Sequence, residues 1–366
     1  MSRYSELIFT ATVFIISLAL FFFVPSRDIL ERSGHQIARG RVLSTDDSMV
    51  EQYGVVNQGD QTAVVQMDDD GRSITCYNTL VGDPEVDFFY SASDRVLISR
   101  TPAASGEMME HLVGPDRLKI ILFLSLLFAG MVIAVAGWTG IKALLSFTFT
   151  ILVIWKILIP GALAGIPPVL LSLGVVTVLT ATITLLVGGL NRKGLSAFLG
   201  GEFGLLTACA LALLVSRYFH LPGLNRPFAK SLIFVEPNLD VYGLFISGIF
   251  ISASGAVMDL AMDIAAATHE IHYHHPEITM RRLFSSALKV GQAVIGTMTT
   301  TLLLAYSGGF IMMLMYFEVQ KIPLLVMLNS TSVASEILVT LVGSFGLVTV
   351  APFTALTAAF LYAAKR

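Results

Sequence analysis

The feature that most limits the fold is a series of apolar stretches too long for the core of a soluble domain. From Leu118 onward the sequence reads as spans near Leu118–Trp138, Ile141–Ile159, Pro168–Leu190, Leu195–Phe219, Val241–Ala267, Ser286–Tyr306 and Phe345–Tyr362. An earlier run, Leu7–Val24, holds 18 apolar or weakly polar residues. A helix needs about 20 such residues to cross a hydrocarbon layer about 30 Å thick. Charged residues make up 13% of the chain, about half of the roughly 25% that a water-facing surface requires. The expected fold is therefore mainly α: a polytopic helical membrane bundle of about eight transmembrane helices. Arg3 gives the first run a signal-peptide flavour, but Val24-Pro25-Ser26-Arg27-Asp28 offers no small-residue cleavage site. An uncleaved anchor is the preferred reading.

Charge divides the chain. Residues 25–116 carry seven basic and sixteen acidic side chains, a balance of −9, and the remainder carries sixteen and ten, a balance of +6. Three parts are expected on this basis: an N-terminal anchor (1–26), an acidic β-rich domain (27–116) and a helical membrane domain (117–366). Strands are anticipated at Ile37–Leu43, Gln61–Met67, Arg72–Tyr77, Val86–Tyr90 and Arg95–Ser99. Asp68-Asp69-Asp70-Gly71 marks a hairpin, because glycine accepts the positive φ of a tight turn. Alternation puts Ala63, Val65 and Met67 on one face, opposite Ile74 and Cys76. Five short strands in so few residues suggest a small β-barrel or sandwich of OB-like type. The Asp triplet lacks the spacing of a calcium loop and reads as a solvated turn. Cys76 and Cys209 fall in different environments, so no disulfide is expected.

Basic residues orient the bundle. Lys142, Arg192, Lys193, Arg281, Arg282, Lys365 and Arg366 fall on one side if the N-terminus is cytoplasmic. The acidic domain is then extracytoplasmic and both termini are inside. Two stretches strain this count. Phe310–Phe317 is too short to cross alone, and Leu324–Tyr362 is too long for one straight helix. A tilted or re-entrant first half with a break at Gly343-Ser344-Phe345-Gly346 is the expectation there.

An ionisable side chain inside a bilayer costs roughly 2.5–3.5 kcal/mol on insertion scales, so it needs a partner or a purpose. The sixth span holds two. At 100° per residue, Ser252, Gly255, Asp259, Asp263, Ala266 and Glu270 share one narrow arc. The stripe carries two carboxylates one turn apart, which could exchange protons or hold a cation, or could serve as a buried structural pair. The next span carries Gln292, Gly296 and Thr299 on one stripe, Glu336 is the sole charge of a third polar stripe, and Glu202 lies inside the fifth span. Asp259, Asp263, Glu336 and Thr299 are the candidate ion-coupling residues, supported by Ser252, Gly255, Gln292, Gly296 and Glu202. Lys156 reads as a side chain reaching for the interface. His269-Glu270-Ile271-His272-Tyr273-His274-His275 is not the H-E-x-x-H metalloprotease register and reads as a solvated loop. No nucleophile–base constellation, phosphate-binding loop or dinucleotide fingerprint is found, so no enzyme, metal or cofactor is expected.

Gly296–Tyr306, Met258–Ala265 and Ser335-Glu336-Ile337 with Gly343–Gly346 resemble motifs of the YibE/F family, uncharacterised multi-pass membrane proteins of bacteria. The resemblance covers most of residues 1–364 and implies an anchor, an external β module and a helical body in the bacterial cytoplasmic (inner) membrane. The sequence departs from it at Gln292-Ala293, where many relatives have Arg-Asp, and at Thr300, where Asn is common. In layout alone the chain is similar to the membrane half of RND-type proteins. The expected function is that of a secondary transporter or proton/cation-coupled translocation component. The alternative is an accessory or sensory protein whose β domain binds a partner. The partners expected are the lipid bilayer, an ion or small solute, and a membrane-protein partner or second copy, with no nucleic acid.

Overall fold

The computed structural model describes residues 3–24, 36–54, 56–83, 87–102, 108–226 and 228–363. It is mostly helical, with a five-stranded barrel on the N-terminal side. Two compact units result: Ser26–Met131, and Met1–Pro25 together with Val132–Arg366.

The barrel comprises β1 (Gln36–Tyr53), β2 (Val56–Met67), β3 (Ser73–Val81), β4 (Arg95–Pro102) and β5 (Met108–Pro115). The strands close in the order β1-β2-β3-β5-β4. All pairs are antiparallel except β3 with β5. The hairpin falls where the Asp triplet puts it, with Gln66 opposite Ser73 and Ala63 opposite Cys76. Alternation then sends Ala63, Val65, Met67 and Cys76 inward, joined by Val42, Val96 and Ile98. Burial pushes the Cys76 thiol up to about 12, and the Tyr90 phenol likewise to about 12. Gln61 is fully buried and uses both ends of its amide. Its Nε2 donates to Asp47 Oδ1 at 2.8 Å and to the Tyr90 carbonyl at 2.9 Å, while its Oε1 accepts from Asn78 at 3.0 Å and from the Tyr90 N–H at 3.1 Å.

Two strand expectations need correction. Val86 lies outside the described residues, and residues 87–90 are not a strand. Their backbone is held by side chains instead, through Asn78 to Phe88 and Gln61 to Tyr90. The fifth strand is β5, Met108–Pro115, where no strand was expected.

The helical unit contains α1 (Arg3–Phe23), the long α2 (Leu118–Val153, continued by a π-turn Ile154–Leu158 and α3, Ile159–Leu163), α4 (Pro168–Gly188), α5 (Arg192–Phe219), α6 (Ala229–Val235), α7 (Val241–His274), α8 (Met280–Gly308), α9 (Ile311–Val319), α10 (Leu324–Asn329) and α11 (Thr331–Ala363). The first stretch of α2 belongs to the other unit. Among the described residues, seven helical runs are long and apolar enough to cross a membrane, which suggests a membrane protein. One of them, Leu118–Leu163, has 46 residues and is interrupted at Gly137 (φ 53°, ψ −127°). The turn there is tight. A Cβ built on Gly140 would lie 2.5 Å from the Val132 carbonyl oxygen, eight residues back. In a straight helix those residues stand about 12 Å apart along the axis.

The core forms where α7 meets α5 and α11. Leu205, Ala208 and Ala212 interlock with Ile246, Phe250, Val257, Leu260 and Ile264, and with Leu347, Val350 and Ala351. Small residues set the spacing: Gly200 lies against Thr354 so closely that a Cβ would sit 2.1 Å from its Oγ1 and 2.5 Å from its Cα. The expected break at Gly343–Gly346 is absent. α11 runs unbroken across it, because Gly346 seats the helix against Ala208 and Val257 rather than bending it. The chain breaks earlier, at Ser330, whose extended ψ of 141° separates α10 from α11. The preceding α9 and α10 have nine and six residues.

α1 packs through Val13 on Phe149, Val153, Leu158, Val175 and Leu179. Its two ends are tied by lysines. Lys142, buried, pairs with Glu6 at 3.4 Å. Lys156 donates to the Val24 carbonyl at 2.7 Å, supplying a cation where the last carbonyls of a helix lack partners.

Candidate functional site

α7 is the most enclosed of the long helices, packed by α4, α5, α8 and α11. Its apolar residues occupy the enclosed faces, and one face stays open. The exposed positions between Val241 and Glu270 are Gly248, Ser252, Gly255, Asp259, Asp263 and Glu270. None of them is apolar. Their spacings of 4, 3, 4, 4 and 7 place them on one side of the helix. The contrast with neighbouring helices is direct: α5 exposes Leu206, Leu213 and Leu214, and α11 exposes Leu341, Phe345 and Val348. Those are surfaces lipid tails accept. The open face of α7 is not one.

Asp259 and Asp263 sit one turn apart, as their spacing requires, but the structure leaves them on that open face instead of enclosing them between helices. Neither makes a hydrogen bond or ion pair with any described residue, and a Cβ built on Gly255 meets nothing within 4 Å. The physical reason is geometric. Four neighbours cover the other faces of α7, and the hydrophobic effect assigns the apolar residues to those contacts.

Upstream, the same face enters a cavity of about 640 Å³. Gly248 and Ser252 line it with Phe245, Ala305 near the end of α8, Phe310 at the start of α9, and Glu336 of α11. Glu336 is not solitary there. Its carboxylate forms an ion pair with Arg226, whose guanidinium also lies 5.6 Å from the centre of the Phe245 ring. The adjoining residues pair too, Asn225 donating to Ser335 Oγ. Sequence reading missed Arg226 and Asn225. They lie between α5 and α7 in a segment without periodicity, and only an Arg beside apolar flanks hinted at a charge pair.

The other expected residues divide. Ser252 and Glu336 meet in the one cavity. The Ser252 hydroxyl bonds back to the Ile249 carbonyl at 2.8 Å, and Thr299 bonds back to Ile295 at 2.8 Å. Gln292 and Gly296 are exposed on α8, and open space faces Gly296. Glu202 belongs elsewhere: it accepts from Thr177 of α4 at 2.5 Å, while its Oε2 is buried without a partner. No cluster of three or more His, Cys, Asp or Glu suited to a metal occurs among the described residues.

The family model described as YibE/F-like protein matches residues 124–364. The match takes in the turn at Gly137, all of α7 and the cavity with its ion pair. No curated protein and no solved structure matches the chain significantly.

Proposed function

The chain belongs to the YibE/F-like family, and from that premise we propose that it is a secondary transporter or proton/cation-coupled translocation component of the bacterial inner membrane. The observation that carries this reading is the open face of α7. From Gly248 to Glu270 is 22 residues, about 33 Å along a helix, which matches a hydrocarbon layer about 30 Å thick. A face of that length, whose exposed residues are a serine, glycines and three carboxylates with only the half-buried Ala266 between Asp263 and Glu270, supports a water-lined track from one side of the membrane to the other. Asp259 and Asp263 stand along it without counter-ions, which suits them to carry a proton or a cation between them. Ser252 and the Arg226–Glu336 pair stand at its outer mouth. Arg226 offsets the charge of Glu336 and leaves the aspartates as the uncompensated anions of the track.

In this reading α2 crosses twice, turning at Gly137, so the membrane segments number eight. Both termini are cytoplasmic, and the acidic barrel, which we class as OB-like, lies outside. Gln292, Gly296 and Thr299 line the neighbouring helix as supporting groups.

The test is flux into proteoliposomes holding the purified chain, driven by a pH or cation gradient and read by a trapped dye. Asp259→Asn with Asp263→Asn should abolish it, and unchanged flux in the double variant refutes the assignment. A second reading draws on the small residues Gly248, Ser252 and Gly255, which also suit a helix seam with another copy of the chain. Cysteines introduced at 248, 252 and 255 separate the two. Labelling by a membrane-impermeant thiol reagent marks the water track, and crosslinking between copies marks the seam.

A further inference from the structure

The histidine-rich end of α7, set aside as a solvated loop, helps to form a second cavity of about 370 Å³. Four helices contribute to its walls: Arg192 of α5, His272 of α7, Thr279 and Met280 at the start of α8, and Tyr362 of α11, with Pro276, Ile278 and Leu283 as apolar lining. Among the described residues no carboxylate lines it. The polar groups are organised around Tyr362. Its hydroxyl hydrogen-bonds His269 Nδ1 at 2.9 Å, the His272 ring packs on it at 4.9 Å, and the Arg192 guanidinium lies 5.9 Å from its ring centre.

Two groups are left incomplete. Arg192 has no hydrogen bond or ion pair with any described residue. His272 Nδ1 is buried without a hydrogen-bond partner, an arrangement that folded proteins rarely tolerate unless something else completes it. The first N–H groups of α8, a helix of 29 residues, have no partners within the helix, and that end carries partial positive charge.

We propose that this cavity binds a phosphate ester. A guanidinium, an imidazole N–H and a helix N-terminus together match the several acceptor oxygens and the negative charge of a phosphoryl group. The apolar wall of Pro276, Ile278 and Leu283 then takes the carbon portion beside it. Its volume lies within the range of small-molecule sites, about 300–1,000 Å³. The same chemistry is presented by an anionic lipid headgroup and by a free phosphorylated solute. The site is separate from the α7 track and stands or falls independently of it.

The experiment uses the full chain purified in neutral detergent. One arm adds inorganic phosphate, with chloride at equal ionic strength as control. The other transfers the protein into nanodiscs of phosphatidylglycerol or of phosphatidylcholine. Thermal unfolding is followed in both. Stabilisation by phosphate and by phosphatidylglycerol supports a general phosphoryl site, and stabilisation by phosphatidylglycerol alone supports a lipid-headgroup site. In either case Arg192→Gln should weaken the apparent affinity about tenfold or more, since a charge-assisted hydrogen bond to the ligand is lost. His272→Gln, which leaves the Arg192–Tyr362 contact in place, should weaken it in the same direction. Arg281→Gln, outside the cavity, should not. The proposal is overturned if neither arm stabilises beyond its control, or if both cavity variants respond like the unmodified chain.

Discussion

Replacing one glycine at a time separates the closed faces of the bundle from the open face of α7. At Gly200 an added methyl would lie 2.5 Å from the Thr354 Cα and 2.1 Å from its hydroxyl oxygen. Ordinary carbon–carbon contacts lie at about 3.5–4.0 Å, so α5 and α11 must part by about 1 Å or more. No side-chain rotation can absorb this, because the obstructing atom is backbone. Overpacking of this kind costs about 1–3 kcal/mol, and the backbone clash points to the upper half of that range. For a unit this large, each kcal/mol moves the unfolding midpoint by roughly 2–4 °C, so Gly200→Ala should lower it by about 4–12 °C. At Gly255 the same methyl meets nothing within 4 Å, and alanine is the better helix former by up to about 1 kcal/mol. Gly255→Ala should leave the midpoint unchanged or raise it by a few degrees. The assay is a fluorescence-detected thermal scan of detergent-solubilised protein. An unchanged midpoint in Gly200→Ala, or equal losses in the two variants, would refute the packing assigned to α5, α7 and α11.

Glu6→Gln should destabilise the unit by about 1–2 kcal/mol, less than for a fully buried pair because Glu6 is partly exposed. Adding Lys142→Met should restore most of that loss in the same thermal scan, since the cost is that of a buried cation left alone. Cys76 gives a pH test. Its thiol titrates near 12 in the fold, above its ordinary value of 9.0, so its stabilising contribution is complete below pH 9 and is lost as pH rises towards 12. Native protein at pH 9 should therefore react with a thiol reagent at Cys76 far more slowly than unfolded protein, and comparable rates would contradict its burial.

How much of this was legible beforehand depends on the range of the interaction. The Asp68–Gly71 hairpin and the inward set Ala63, Val65, Met67 and Cys76 follow from turn chemistry and a period of two, both local. The fifth strand was missed although its antiparallel partner β4 is its neighbour in the sequence, because the pairing with β3 that closes the barrel joins residues far apart. Residues 87–90 looked like a strand but are held by Gln61 and Asn78, whose reach no periodicity reveals. In the bundle, Gly343–Gly346 reads in the sequence as a break, whereas the fold uses it as a close approach. Only the presence of Ala208 and Val257 opposite decided for the second.

The amino-acid order by itself determined that the chain carries several helices long and apolar enough to cross a membrane and that Ser252, Gly255, Asp259 and Asp263 share one side of a helix. Apolar content and the 100° step of the α-helix act residue by residue, so they can be read without a fold. The tertiary structure alone decided that this side remains open while the rest of α7 is covered, and that Glu336 is matched by Arg226. Both outcomes depend on which helices become neighbours, and that choice is made by packing summed over the whole bundle rather than by any one segment.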